Sequence, residues 1–69
     1  MFIRFKKKVT LNVCAYHDKL HLWGSGMSEE FDEGEDAEVA LLREEEDTLD
    51  IEFPDGGVVF DLPKADVEI

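Results

Sequence analysis

Apolar and polar residues alternate along the first part of the chain, and this alternation predicts β-structure. Between Ile3 and Ala15 the odd positions are mostly apolar, whereas the even positions carry polar or basic residues and one cysteine. A period of two is typical of a strand with one buried face. We therefore expect one long strand, or two strands bent near Lys7, with the odd positions facing inward. A turn over 17–19 and a returning strand over 20–23 follow.

The last third of the chain shows the same alternation. Apolar residues occupy alternate positions in 49–53 and again in 58–62, where Phe60 falls on the apolar face. The sequence Pro-Asp-Gly-Gly between the two runs is typical of a turn, so the pattern predicts a β-hairpin with one apolar and one acidic face. We expect Pro63 to end its second strand and a short last strand to form over 67–69.

Two segments lie between these strands. Residues 28–38 contain seven carboxylates and one large apolar side chain, Phe31. Such a charged run is typical of a solvated, mobile loop, here pinned where Phe31 packs into the core. Residues 37–47 are rich in helix formers, but a helix would place four acids at the negative end of its dipole. We favour a short strand around Val39 and Leu41, with a helix over 37–47 as the alternative.

Length bounds the architecture. A chain of 69 residues has room for a single domain over 1–69 with one small core. Five or six short antiparallel strands can bury a common face by curling up, so we expect a mainly β, SH3-like or OB-like small barrel. A lone cysteine excludes an internal disulfide, and no apolar run reaches the length of a signal peptide or a membrane helix. A cytoplasmic location fits best.

The charge of the chain is its most informative feature for function, because the formal net charge is −11 at pH 7. Residues 1–23 carry five basic residues and one acid, whereas residues 24–69 carry seventeen acids and two basic residues. An acidic excess of this size repels nucleic acid and attracts basic surfaces. Salt adaptation also produces acidic proteins, but the triple lysine over 6–8 weighs against it.

No pattern of an enzyme or a metal site stands out. Cys14, His17 and His21 have a spacing that invites a zinc hypothesis, but structural zinc sites usually use two or more thiolates, so we assign no metal. The acidic run over 32–36 lacks the ligand order of an EF-hand loop. Exposed acids also lack the apolar cleft that raises the pKa of a catalytic carboxylate. We therefore expect a protein without cofactor and without enzymatic activity.

Two resemblances rest on these features. The acidic turn and strand over 31–39, followed by the hairpin over 49–56 and 58–63, look like the strand–loop–hairpin pattern of SH3-like small barrels. This resemblance implies a fold and no site residues. In size, acidity and lack of a catalytic motif, the chain resembles phage-encoded DNA-mimic inhibitors of the anti-CRISPR and anti-restriction type. That resemblance implies the host cytoplasm as location and a host nuclease or effector complex as partner.

The leading hypothesis is a non-enzymatic inhibitor whose acidic surface mimics nucleic acid and blocks the basic DNA- or RNA-binding groove of such a partner. Carboxylates on neighbouring strands lie about 4.8 Å apart, so Asp50, Glu52 and Asp61 can form an anionic array. We expect no direct contact with nucleic acid or membrane, and a monomer or small homo-oligomer. The expected partner-binding residues are Glu29, Glu30, Asp32, Glu33, Glu35, Asp36, Glu44, Glu45, Glu46, Asp50 and Glu52.

Two alternatives stay open. The first is an SH3-like adaptor that binds a protein peptide, or that binds RNA through a basic N-terminal face formed by Arg4, Lys6 and Lys8 beside aromatic residues. The second is an antitoxin-like partner of one dedicated basic toxin.

Overall fold

The structure is a computed structural model that describes residues 1–17, 22–23 and 26–69. Within these residues it is mainly β, as predicted, but it has ten short strands instead of five or six, and one 3₁₀ turn. In chain order the elements are β1 Phe2–Phe5, β2 Val9–Val13, β3 Tyr16–His17, β4 Leu22–Trp23, β5 Met27–Phe31, β6 Asp36–Glu38, β7 Ala40–Glu44, β8 Thr48–Glu52, β9 Val58–Pro63, the 3₁₀ turn Lys64–Asp66 and β10 Val67–Glu68. No helix in this described part has the length and apolar character that crossing a bilayer demands.

The strands pair antiparallel in four small groups. β1 lies between β10 and β6, β2 pairs with β5, β3 pairs with β4, and β8 lies between β7 and β9. A bridge between Cys14 and Val58, with two backbone hydrogen bonds of 2.7 Å, connects the end of β2 to the start of β9. The predicted small antiparallel β fold is therefore confirmed. The described strands do not close into the predicted barrel.

The core gathers the inward positions of most strands. Its buried residues are Ile3, Phe5, Leu11, Val39, Leu49, Ile51, Val59, Leu62 and Val67. The odd positions of β1 and β2 supply three of them, as the alternation predicts, and the chain divides into two strands at 6–8. The Phe31 ring stacks on Phe5 and on Phe53, with centroids 4.6 and 5.7 Å apart. The predicted packing of Phe31 into the core is therefore confirmed.

The prediction of a solvated loop over 28–38 is wrong. Met27–Phe31 forms β5 and pairs with β2, and Asp36–Glu38 forms β6 and pairs with β1. Strand pairing provides hydrogen-bond partners for backbone N–H and C=O groups in both strands of this acidic run. Phe31 and Ala37 pack against the core, and the carboxylates stay exposed. A high charge density does not prevent a strand when the charged side chains remain in water.

The favoured strand near Val39 and Leu41 is confirmed, and the alternative helix over 37–47 is wrong. Val39 is buried, and its backbone exchanges hydrogen bonds of 2.8 and 2.9 Å with Met1, which prolongs the β1–β6 pair. β7 then runs along β8. The extended conformation buries Val39 and avoids a helix whose last turn would carry four acids.

The predicted hairpin is present as β8 and β9, but the prediction of which β9 residues lie on its apolar face is partly wrong. Phe60 is 43% exposed, whereas Val59, expected on the outer face, is buried. The register shifts between Leu49 and Ile51 of β8, so that β9 contains one extra residue there. This β-bulge reverses the alternation in the middle of the strand.

Two short predicted elements have different outcomes. β9 ends at Pro63 and β10 follows, so the predicted last strand is confirmed, although Ile69 lies outside it. In the β3–β4 pair Tyr16 lies opposite Trp23, as a returning strand requires. The rest of the predicted turn and strand, 18–21, falls outside the described residues.

Candidate functional site

Four turns lie side by side at one end of the fold, which we call the turn end: 6–8, 32–35, 45–47 and the 3₁₀ turn 64–66. Backbone hydrogen bonds hold them together. The Lys64 amide donates to the Asp47 carbonyl oxygen at 2.9 Å, which joins 45–47 to the 3₁₀ turn. The Lys6 amide donates to the Asp66 carbonyl oxygen at 2.9 Å, which joins the 3₁₀ turn to 6–8. Two bonds of 2.7 and 3.0 Å join 32–35 to Phe5, next to residues 6–8, which we call the lysine turn. The lysine turn therefore lies between two acidic turns.

The first acidic turn carries Asp32, Glu33 and Glu35, three of the expected partner-binding residues. The Glu35 amide donates to the Asp32 carbonyl oxygen at 3.1 Å, which closes a tight turn. Gly34 has a φ of 83°, a conformation that costs side-chain-bearing residues energy. All three carboxylates are exposed and have no ion-pair partner within the described residues.

The second acidic turn joins β7 to β8 and, taken together with Glu44 at the end of β7, carries the acids Glu44, Glu45, Glu46 and Asp47. The Glu44 carboxylate receives a hydrogen bond of 2.7 Å from Lys64 Nζ, and Glu45 forms an ion pair with Arg43. Glu46 and Asp47 are exposed and, in the described part of the chain, unpaired. Half of this turn is therefore available to an external cation.

Asp50 and Glu52 point to the outer face of β8 and are half-buried. The Asp50 carboxylate accepts a hydrogen bond of 2.9 Å from the Asp61 amide, which fixes its position. Arg43 is the cross-strand neighbour of Asp50. The predicted anionic array of Asp50, Glu52 and Asp61 thus has its members on adjacent strands, with one cation beside it.

Arg4 and Asp36 form a two-point ion pair across β1 and β6. Arg4 Nε lies 2.9 Å from Asp36 Oδ1, and Arg4 Nη2 lies 3.4 Å from Oδ2. The hydrogen bond from Arg4, aided by its charge, holds the pKa of Asp36 below its usual value, and the same bond raises the pKa of Arg4. Both side chains are exposed, so the pair adds little to the folding free energy.

The lysine turn is also largely neutralised. Lys7 Nζ lies 3.2 Å from Asp66 Oδ1, and Lys8 Nζ lies 3.6 Å from Glu30 Oε2. Lys6 has no ion pair among the described residues. The N-terminal part of the sequence is basic and the remainder is acidic. In the fold, however, the N-terminal cations lie next to carboxylates from the later part of the chain.

The expected partner-binding residues fall into two classes. Four are held in ion pairs: Glu30, Asp36, Glu44 and Glu45. Seven have no cationic partner within 1–17, 22–23 and 26–69: Glu29, Asp32, Glu33, Glu35, Glu46, Asp50 and Glu52. Glu38 and Asp47 belong with the second class and were not predicted. For Asp47 its adjacency to Glu46 was an available signal, whereas Glu38 becomes relevant only through the fold.

An open groove of about 340 Å³ lies at the opposite end of the β7–β8 pair. Its lining residues are Glu38, Val39, Ala40, Glu52, Phe53, Pro54 and Gly56. A smaller one of about 210 Å³ is lined by Phe2, Ile3, Arg4, Asp36, Glu68 and Ile69. The described residues contain no group of three His, Cys, Asp or Glu side chains that could hold a metal ion, and His21 lies outside them.

Comparison with known proteins returned no match: no family model, no curated protein and no solved structure matches the chain. The function is therefore argued from the geometry and charge of the surface.

Proposed function

We propose that the protein is a non-enzymatic inhibitor that binds a basic nucleic-acid-binding protein and competes there with DNA or RNA. The observation that supports this best is the surplus of unpaired negative charge. Among the described residues, five ion pairs use five of the six lysines and arginines, but only five of the seventeen carboxylates. The remaining carboxylates are far more than a small domain needs for solubility.

The sign of this charge is that of a nucleic acid. The chain has a net charge of −11 at pH 7 within dimensions of 36 × 23 × 17 Å. A groove lined with Lys and Arg that binds phosphates would therefore attract this acidic surface.

The fold holds many of these carboxylates at defined positions. Asp32, Glu33 and Glu35 lie on a hydrogen-bonded turn, and Asp50 is fixed by the amide of Asp61. Preorganised charges lose less conformational entropy on binding than charges on a flexible tail. Long-range attraction would speed association with a basic partner, and exposed apolar side chains near the acids would slow dissociation.

The alternative of RNA binding through the N-terminal basic face receives less support. Arg4 and Lys8 of that face are each within ion-pair distance of a carboxylate, as is the neighbouring Lys7, which leaves Lys6 as the unpaired cation of the face in the described structure. A phosphate backbone would have to displace three carboxylates and then approach the surrounding acids. Of the basic targets, a nuclease or effector complex in a host cytoplasm is the class that the resemblance to phage-encoded inhibitors favours.

The proposal is tested with the purified protein as bait in a host lysate, followed by equilibrium competition. The captured partner is mixed with a labelled oligonucleotide, and the protein is titrated in. We expect stoichiometric loss of the nucleic acid complex, and no gel shift of any oligonucleotide by the protein alone. A partner that binds no nucleic acid, or a direct shift of an oligonucleotide, would contradict the proposal.

A further inference from the structure

The edge of the three-stranded β7–β8–β9 sheet is exposed and partly apolar. Within the described residues β7 pairs with β8 alone, and all five of its side chains are exposed. Leu41 is 43% exposed and Leu42 is 50% exposed. An edge strand presents unpaired N–H and C=O groups to which another chain can add. We call this strand with its free side the β7 edge.

A β-bulge shapes the β7 edge. The register with β8 shifts between Leu41 and Arg43, so Leu42 is the extra residue. Bulges redirect side chains and shorten the stretch that a further strand can pair with. An added strand can therefore form only a few backbone hydrogen bonds here, and it needs side-chain anchors to bind specifically.

The larger groove supplies such an anchor, because it begins where β7 begins. Ala40 lines the groove and is also the cross-strand neighbour of Glu52, which lines it too. Phe53 and Pro54 provide apolar surface, and Glu38 is the second carboxylate. Apolar walls suit the methylene stem of a lysine or arginine, and carboxylates suit its charged head. Neither carboxylate has an ion pair among the described residues.

The negative charge of the protein favours a basic occupant at this site. A second copy of the chain would bring two surfaces of net charge −11 together, which opposes self-pairing at the β7 edge. The lysine turn of the chain itself is tied to the opposite end of the fold. A basic extended segment of another protein meets both requirements, backbone pairing and positive charge.

We propose that an extended basic segment of the partner adds as a strand along the β7 edge and places a lysine or arginine side chain in the groove between Glu38 and Glu52. This inference rests on the proposed function, since it names the part of a basic partner that is recognised. It also separates two roles of the acids: those at the groove recognise a side chain, and those at the turn end contribute attraction at longer range.

The test uses a synthetic ten-residue peptide of alternating lysine and valine, with capped ends, added to the isotope-labelled 69-residue protein. Backbone NMR shifts and amide hydrogen exchange locate the contact. We expect shifts and slowed exchange over 38–44 and at Glu52. The same peptide with an N-methyl group on every peptide nitrogen, which leaves no N–H for strand pairing on either edge, should bind at least roughly tenfold more weakly.

Matched variants separate the groove from general charge. The double variant Glu38→Gln and Glu52→Gln should weaken peptide binding roughly tenfold. The control Glu33→Gln and Glu35→Gln removes the same charge at the turn end and should weaken it less than about twofold at physiological salt. Equal effects of the two double variants, shifts confined to the turn end, or undiminished binding of the N-methylated peptide would each overturn the proposal.

Two further outcomes bear on the inference. Dimerisation of the free protein with protected β7 amides would overturn it in favour of a second copy. In the competition assay with the captured partner, the groove variant should lose inhibition and the turn-end control should retain most of it. If the groove variant inhibits fully while the turn-end control does not, the docking site is wrong and the inhibitor function stands.

Discussion

Asp61 donates its backbone N–H to the Asp50 carboxylate at 2.9 Å, from a left-handed conformation with a φ of 57°. This contact lies at the β-bulge, where β9 has one residue more than β8. The bulge exposes Phe60 while Val59 and Leu62 remain buried. One local irregularity therefore shapes both the core side of the hairpin and the position of a carboxylate on its outer face.

The bulge predicts effects of different size for two substitutions of the same residue. Asp61→Val places a β-branched side chain in a left-handed conformation and should lower the free energy of unfolding by about 1–2 kcal/mol. Asp61→Gly accepts this conformation without strain and should change it by less than about 0.5 kcal/mol. Urea denaturation of both variants measures the difference. If valine were tolerated as well as glycine, the bulge would not have the described geometry.

The stacked rings predict a large effect in the core. Phe5 is fully buried and stacks on Phe31, so Phe5→Ala should lower the free energy of unfolding by about 3–5 kcal/mol. Phe2 is 66% exposed and lies three residues earlier on the same strand, so Phe2→Ala is the matched control. The control should change the free energy of unfolding by less than about 0.5 kcal/mol. Similar effects in denaturant titrations would contradict the assigned inward face of β1.

The sequence predicts the strand faces wherever side chains alternate without interruption. Ile3, Phe5 and Leu11 are buried as their odd positions imply. The prediction fails at Phe60, because a bulge depends on the register with β8, and register is a property of two strands together. It fails over 28–38 because acidic composition is typical of a loop, whereas pairing with β1 and β2 holds residues of this run in strands.

The expected acidic residues could be named from composition, but their pairing could not. Asp36 lies beside Arg4, 32 positions away in the chain, and Glu30 lies beside Lys8. Such contacts are created by tertiary register, which the sequence pattern does not specify. The groove around Glu38 and Glu52 was missed for the same reason, since its residues come from separate strands.

The Arg4–Asp36 pair predicts a defined pH dependence. Because the hydrogen bond from Arg4 lowers the pKa of Asp36 in the folded protein, the pair stabilises the fold at neutral pH. This contribution is lost as the pH falls below about 4, the usual range of an aspartate, and through the folded pKa. NMR titration should show the pKa of Asp36 rising in Arg4→Gln and staying constant in the control Lys8→Gln. A constant value in both variants would exclude Arg4 as the cause.

The surplus of carboxylates predicts that repulsion limits stability at low ionic strength. Glu46 is unpaired at the turn end within the described residues, so Glu46→Gln should raise the melting temperature in low salt. Lys6 lies between the two acidic turns, so Lys6→Gln should lower it. Both shifts should shrink at high salt, because screening weakens the repulsion. Scanning calorimetry at two salt concentrations measures them, and salt-independent shifts would contradict an electrostatic origin.

The most direct test of the central claim is the salt dependence of competition between this protein and nucleic acid for the captured partner. The protein should inhibit stoichiometrically at low salt, and its apparent affinity should fall steeply as salt rises. Charge reversal over Glu44–Asp47, which adds positive charge at the turn end, should abolish inhibition at physiological salt. Inhibition that is insensitive to salt, or that survives this charge reversal, would contradict the claim that an acidic surface replaces nucleic acid.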